Sequence, residues 1–448
     1  MSRQCPIKKI IKRDGATVKY NRRRISDAIL KASASTGKPN RKLAESAALK
    51  VESALAHTYC PDSMPTVEDI QDVVESILME SGLTRIARNY IIYRHRRAMA
   101  RAARAYEFEV TDNVPYKIIY EVLRWNMEHN CDTTAGLNRL ITKGAFPDLV
   151  RESDRRYQSE IESAGRMILD SHSPPRLVIV AGPSSSGKTT TTIRLSNMLK
   201  AAGIGIRTLN LDNYFLDLYK HPKDEFGDYD YEIPEALDLD LINRQLQSLL
   251  AGKTVKVPDY NFKTGRRSLN VHTLRLKTNE VLLIDSLHGL NGKISRSVPE
   301  DNKFRLYIET LGQFRAEDGT FMRWSDNRLL RRMIRDKDHR NLKPVQTLTH
   351  WHYVRRSELK HIIPFIKHSD FIVNSALPYE LPILRHRLLR YVSRASRQYA
   401  DDPKRLDAYI RANRVRDLLR SLKPVKDTSC IPGDSLLREF TGGSTYKY

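Results

Sequence analysis

Two hydrophobic periods divide this chain: apolar stripes recurring every three to four residues, and short apolar runs bounded by turn residues. Residues 6–20, PIKKIIKRDGATVKY, alternate apolar and polar positions on either side of Asp14-Gly15, which predicts a β-hairpin. Asn21 caps a helix beginning at Arg22, with Ile25, Ile29 and Leu30 on one face. A second helix is predicted over 41–57. A third follows Thr66 and aligns Ile70, Val73, Val74, Ile77 and Leu78, and a fourth runs from Thr84 into the basic string 93–97. Residues 1–100 thus read as a small, mostly helical domain. Residues 101–174 carry two further helical patterns, at 115–126 and 154–169, and end at Pro174-Pro175. They read as a helical linker, either a spacer or a cover over a catalytic site.

The pattern changes at residue 175. Leu177 to Ala181 and Ile204 to Leu211 are apolar, strand-like runs separated by a helical stripe over 190–202, and Val281 to Ile284 is another such run. Strands alternating with helices predict an α/β domain with a mostly parallel sheet over 175–382. Residues 383–448 form a basic extension with two amphipathic helices. Its ending, SLLREFTGGSTYKY, docks as a strand, lies over a site or frays; the pattern leaves all three open.

Composition narrows the partners. The 448 residues carry 76 Lys+Arg against 53 Asp+Glu, a formal charge of +23 that attracts polyanions. The basic residues are spread along the chain and aromatics are 8%, so no base-stacking platform is predicted, and nucleic acid is not the expected partner. No run approaches the ~20 apolar residues of a membrane span, and Cys5, Cys60, Cys131 and Cys430 are scattered. A cytoplasmic protein, away from membranes, is expected.

The strand at 177–181 opens into Gly182-Pro183-Ser184-Ser185-Ser186-Gly187-Lys188-Thr189-Thr190, which satisfies G-x-x-x-x-G-K-[ST] between a strand and a helix. Small residues let backbone N–H groups turn toward a phosphate, and the helix N-terminus adds positive potential. Lys188 would reach the β- and γ-phosphates of ATP, and the Thr189 hydroxyl would face Mg²⁺. Two acids end apolar runs beside this loop. Asp212 is placed to accept the proton of an attacking hydroxyl and to help hold Mg²⁺, and Asp285 to order the metal. Arg328, Arg331, Arg332 and Arg335 recur at i, i+3, i+4 and i+7, which predicts one basic helical face closing as a lid over phosphates.

Residues 6–100 resemble the ATP-cone, a regulatory nucleotide-binding domain, through Lys12-Arg13-Asp14-Gly15, the helix start at 21–25, VEDIQDVVE at 67–75 and YIIYR at 90–94. The resemblance implies that Lys12, Arg13 and Arg24 hold the phosphates of a regulatory ATP or dATP and that Gln71 faces its nucleoside. Residues 175–382 resemble the uridine kinase and phosphoribulokinase family of P-loop kinases through GPSSSGKTTT, LDNYF, DEFGDYDYEIPEALD, VPDYNFKTGRR, LLIDSLHGLN and DNRLLRRMIRD. That resemblance implies Asp212 as base and Asp285 as second acid. It places Glu232 and Arg332 on the ribose hydroxyls, Phe215, Tyr260 and Phe262 around the nucleoside, and Arg335 and Arg340 near the phosphates. Three positions depart from the family: Glu232 stands where Asp is usual, Gly265 where a base-reading His is usual, and His350 where a base-reading Gln is usual.

The expectation is an ATP- and Mg²⁺-dependent kinase acting on a hydroxyl of a small molecule, most fittingly a nucleoside, regulated through the N-terminal domain and forming a homo-oligomer. Two alternatives stay open: a kinase of a sugar phosphate or glycerate, and a nucleotide-gated nucleic-acid-binding regulator.

Overall fold

A computed structural model of the chain describes residues 7–12, 17–34, 39–59, 64–105, 114–172, 174–222, 232–261, 264–340, 342–402 and 405–447, with backbone alone over 95–105. Arg13, Phe262, the Asp14-Gly15 turn, Cys5 and Cys60 lie outside the described residues.

The chain forms two compact units. The first gathers residues 1–111, 315–320 and 390–418; the second gathers 112–314, 321–389 and 419–448. In the first, β1 (Lys9–Ile11) pairs antiparallel with β2 (Thr17–Lys19), and α1 (Arg22–Ala34), α2 (Arg41–Thr58), α3 (Val67–Glu80) and α4 (Thr84–Ala105) follow. Thr66 and Asp69 form a reciprocal capping box that starts α3. Ile25, Ile29, Val51, Leu55, Val74 and Leu78 close the core, as their helical spacing predicts. Arg94 on α4 bonds Glu68, Asp72 and Glu75 along α3, fastening the two helices. Tyr409, far along the chain, completes the core.

The second unit begins with α5 (Tyr116–Glu128), α6 (Thr134–Thr142) and α7 (Phe146–Leu169). These fill the stretch expected to be a linker. They pack instead, because α7 buries Leu149, Val150, Tyr157, Ile161 and Ile168 on one stripe. β3 (Leu177–Ala181), α8 (Lys188–Ala201), β4 (Gly205–Asn210), α9 (Leu239–Leu250), β5 (Val255–Asn261), β6 (Arg266–Leu274), β7 (Glu280–Ser286) and β8 (Lys303–Glu309) come next. They are followed by α10 (Trp324–His339), α11 (Pro344–His361), β9 (Phe371–Asn374), the first part of α12 (Glu380–Gln398), whose remainder falls with most of α13 (Leu406–Ser421) in the first unit, and α14 (Arg438–Thr441).

Five strands form a parallel sheet in the order β4-β7-β3-β8-β9, and β5-β6 make a separate antiparallel pair. All five residues of β3 are buried, as expected of the central strand in a sheet covered on both faces. The register sets Val180 of β3 beside Asp285 of β7, and Asp285 beside Asn210 of β4. The carboxyl ends of three adjacent strands therefore open at one edge, where open α/β sheets bind ligands. Among the described residues no helix is long and apolar enough to cross a membrane.

Candidate phosphate-binding and phosphoryl-transfer site

The loop leaving β3 is held by backbone constraints before any ligand is considered. A Cβ on Gly182 would lie 2.3 Å from the Ile308 carbonyl oxygen, so only glycine fits beside β8. Ser185 and Gly187 take positive φ (61° and 96°), and the loop reverses into α8. Ser184 is half-buried and Pro183, Ser185 and Ser186 are buried. The hydroxyls of Ser185 and Ser186 are buried without a hydrogen-bond partner. Unpartnered donors in a glycine loop at a helix N-terminus fit a phosphate group. Lys188 lies at the start of α8, with its ammonium 3.4 Å from the Pro183 carbonyl oxygen.

Asp212 follows β4 in a short 3-10 turn, which the Asn210 side chain starts by accepting from the Asp212 N–H at 2.9 Å. The residue as a whole is exposed. Protein around its carboxyl raises its pKa, while Lys188 and Arg340 pull it down. Asp285, at the end of β7, is pushed up to about 6, mainly by burial and further by the charges of Asp212 and Glu439. Lys188 and a hydrogen bond with Thr189 act in the opposite direction. Lys188, Thr189, Asp212 and Asp285 thus share one electrostatic neighbourhood at the sheet edge. Among the described residues no three His, Cys, Asp or Glu side chains are grouped to hold a metal. A Mg²⁺ ion takes one or two carboxylates and completes its shell with water and phosphate oxygens. Thr189 and Asp285 fit that role, with Asp212 beside them.

The arginine row of α10 divides by function. Arg332 donates to the Ser184 hydroxyl at 3.1 Å and lies 3.6 Å from the Glu232 carboxylate, so it spans the phosphate loop and the expected ribose-gripping acid. Arg340 reaches Asp336 at 3.3 Å and remains half exposed. Burial pulls Arg335 down to about 10, and its Nε lacks a partner. Arg328 and Arg331, expected in the lid, are instead buried structural groups. Arg328 pairs with Glu309 at 2.7 Å and with Glu358, and Arg331 pairs with Glu380 at 2.6 Å. Their charges are neutralised there, and what they offer the loop are N–H groups. Arg328 donates to the Ser184 carbonyl at 3.2 Å and Arg331 to that of Ser186 at 3.4 Å.

The acceptor side is partly described. Phe215 and Tyr260 place their rings 5.5 Å apart, and Phe215 stacks on His221 at 5.7 Å. Gly265 terminates the β5-β6 turn with φ +65°, and a Cβ there would lie 2.9 Å from Leu218 Cβ. The backbone conformation explains the glycine. His350 is exposed on α11, its ring 6.2 Å from that of Tyr353. In the first unit Lys12 and Arg24 are exposed, Arg24 acts on Asp318, and Gln71 is half-buried on α3.

The sequence left open whether the ending docks as a strand, lies over a site or frays, and named neither the site nor the residue that would reach it; in the structure it lies over the loop. Residues 431–441 lie against it, and the Glu439 carboxylate accepts from the Thr190 N–H at 3.2 Å and from the Thr190 hydroxyl at 2.6 Å. No motif marks this segment; Gly442-Gly443 is its one visible signal.

Two family models match the chain. Residues 8–99 match the ATP cone domain family, and residues 177–380 match the Phosphoribulokinase / Uridine kinase family. A uridine kinase of Deinococcus deserti is 28% identical over 203 residues, 45% of this chain and 88% of that protein. Uridine-cytidine kinase B of Dictyostelium discoideum is 28% identical over 205 residues, 45% of this chain and 76% of that protein. A solved structure described as a possible uridine kinase from Bacillus stearothermophilus is 17% identical. Its TM-score is 0.34, over 48% of this chain and 98% of that one.

Proposed function

We propose that this chain, which carries a kinase domain of the phosphoribulokinase and uridine kinase family behind an ATP cone domain, transfers the γ-phosphoryl group of ATP to a nucleoside hydroxyl. The observation that carries this reading is the gathering of Lys188, Thr189, Asp212 and Asp285 at one sheet edge, with Arg332 joining the phosphate loop to Glu232. Loop amides and Lys188 hold the phosphate tail. Asp212 accepts the proton of the acceptor hydroxyl as its oxygen bonds to the γ-phosphorus. The bond to the β–γ bridging oxygen breaks and ADP leaves. Mg²⁺, when bound, supplies positive charge to the β- and γ-oxygens; Thr189, Asp285 and Asp212 are the residues that would hold it. Arg332, Arg335 and Arg340 neutralise charge on the transferred group.

The aromatic pair Phe215 and Tyr260 supports a nucleoside over a sugar phosphate or glycerate, whose anionic groups need cations in the acceptor pocket. Gly265 and His350 supply no equivalent of the family's base-reading groups, so discrimination among bases is expected to be weak. The ATP cone is read as a regulatory site for ATP or dATP through Lys12, Arg13, Arg24 and Gln71. The test is incubation of the purified chain with Mg-ATP and a panel of nucleosides, sugar phosphates and glycerate, with product read by mass spectrometry. Phosphorylated nucleosides are expected. Product from glycerate or a sugar phosphate alone would replace the nucleoside assignment. No product, together with salt-sensitive RNA or DNA binding, would favour a nucleic-acid-binding regulator.

A further inference from the structure

The end of the chain occupies ground that a bound nucleotide needs. Thr190 stands in the first turn of α8, whose leading amides have no intrahelical acceptor and face the phosphate cradle. Its N–H and hydroxyl both donate to Glu439, a carboxylate 8% exposed and set into the positive end of α8. An ionised carboxylate only accepts hydrogen bonds, as does a phosphate oxygen. Both carry negative charge and compete for the same donors, so the two cannot occupy this position together.

Glu439 cannot simply swing aside, because its neighbours anchor it. Leu436, Leu437 and Phe440 are fully buried. Leu436 covers Gly187 so closely that a Cβ there would lie 2.5 Å from its Cδ1. The Phe440 ring faces the guanidinium of Arg331 at 5.2 Å and that of Arg335 at 6.0 Å, so an apolar ring occupies space beside an expected phosphate-facing arginine. Ser435 bonds the Tyr379 hydroxyl at 2.7 Å, and the Asp434 carbonyl accepts from Arg194 at 2.6 Å. Arg387 donates to the Thr441 carbonyl at 3.0 Å.

We propose that residues 431–441 are a built-in competitor for the triphosphate: Glu439 stands in for a phosphate oxygen in the resting chain, and ATP enters the cradle only as this segment leaves. The proposal rests on reading the cradle as the ATP site. ATP affinity is then set partly by the work of expelling the segment, and the C-terminus reports whether the cradle is filled.

The experiment uses the full-length chain. Mg-ATP affinity is measured by calorimetry for the parent, Glu439→Gln and Lys188→Ala, the last identifying the cradle's share of the signal. Amide hydrogen exchange of 431–441 in the parent is followed with and without saturating Mg-ATP. Removing the charge from Glu439 while keeping its shape is expected to lower the cradle's Kd for ATP roughly tenfold or more, since hydrogen bonds to a charged group are lost from the competing state. ATP is expected to speed exchange across 431–441 in the unaltered chain. Equal Kd values for parent and Glu439→Gln, with exchange unchanged at saturation, would overturn the competitor and leave the ATP site standing. If neither protein showed binding that Lys188→Ala removes, the ATP reading would fall first and the competitor with it.

Discussion

Replacing Arg331 with Met separates a lid arginine from a structural one. Its guanidinium and the Glu380 carboxylate are both at 0% exposure, joined by Nε–Oε2 and Nη2–Oε1 contacts of 2.6 and 2.9 Å. Further N–H groups reach the Ser375 carbonyl at 2.6 Å and the Ser375 hydroxyl at 3.3 Å. Met fills similar space but leaves Glu380 with Asn327 and the Leu377 amide as its remaining donors, at 2.8 and 3.1 Å. Stranding one partner of a buried pair costs about 3–5 kcal/mol. At about 1.6 °C of melting temperature per kcal/mol in a unit of roughly 300 residues, calorimetry should record a drop of roughly 5–8 °C. Arg331→Met with Glu380→Leu removes both charges and should recover most of that loss. An unshifted melting temperature in Arg331→Met, combined with a large fall in kcat, would refute the structural assignment and return Arg331 to the lid.

Asp212→Asn should lower kcat by about 10²- to 10⁴-fold with little change in ATP affinity, the signature of a lost base; a near-parental kcat would remove the assignment. Asp154 is pushed up to about 6, mainly by burial, above its unfolded range, so its native-state advantage holds below about pH 4 and is lost as pH rises through 6. Asp154→Asn should therefore gain relative to the parent by roughly 3 kcal/mol between pH 4 and 8 in urea unfolding, and a flat difference would contradict the shift. Gly265→His, which places the family's base-reading residue in this turn, should cost about 1–3 kcal/mol through the positive φ and the Leu218 contact, without sharpening pyrimidine preference in competition assays. Lys12→Ala combined with Arg24→Ala should abolish any response of kcat to dATP; an unchanged dATP titration would end the regulatory reading.

The phosphate loop, the two acids and the helices of the first unit were legible because each is local: a motif, or an apolar run ending in a charged residue. The arginine row was legible as a helix face but not in its roles. Regular spacing shows which side chains are neighbours, whereas the acids that bury Arg328 and Arg331 come from Glu309, Glu358 and Glu380 on other elements. The same limit hid Glu439, whose partner Thr190 lies 249 positions earlier. Within 101–174 the helical patterns at 115–126 and 154–169 fall on α5 and α7, whereas α6 and the start of α7 lie outside those patterns, and an amphipathic stripe does not say what it packs against. The base-reading departures were visible in the chain, while the reason for one of them, the left-handed backbone at Gly265, required three dimensions.

The first unit draws its core from both ends of the chain, since Tyr409 closes against residues of α1 to α4. On a ribosome, its helices emerge hundreds of residues before the stretch that seals them. The nascent first unit must therefore wait, with part of its apolar surface uncovered, until nearly all of the other unit has been made. A gene fragment ending near residue 105 would encode an unfinished object, and any attempt to transplant the first unit should carry residues 390–418 along with it.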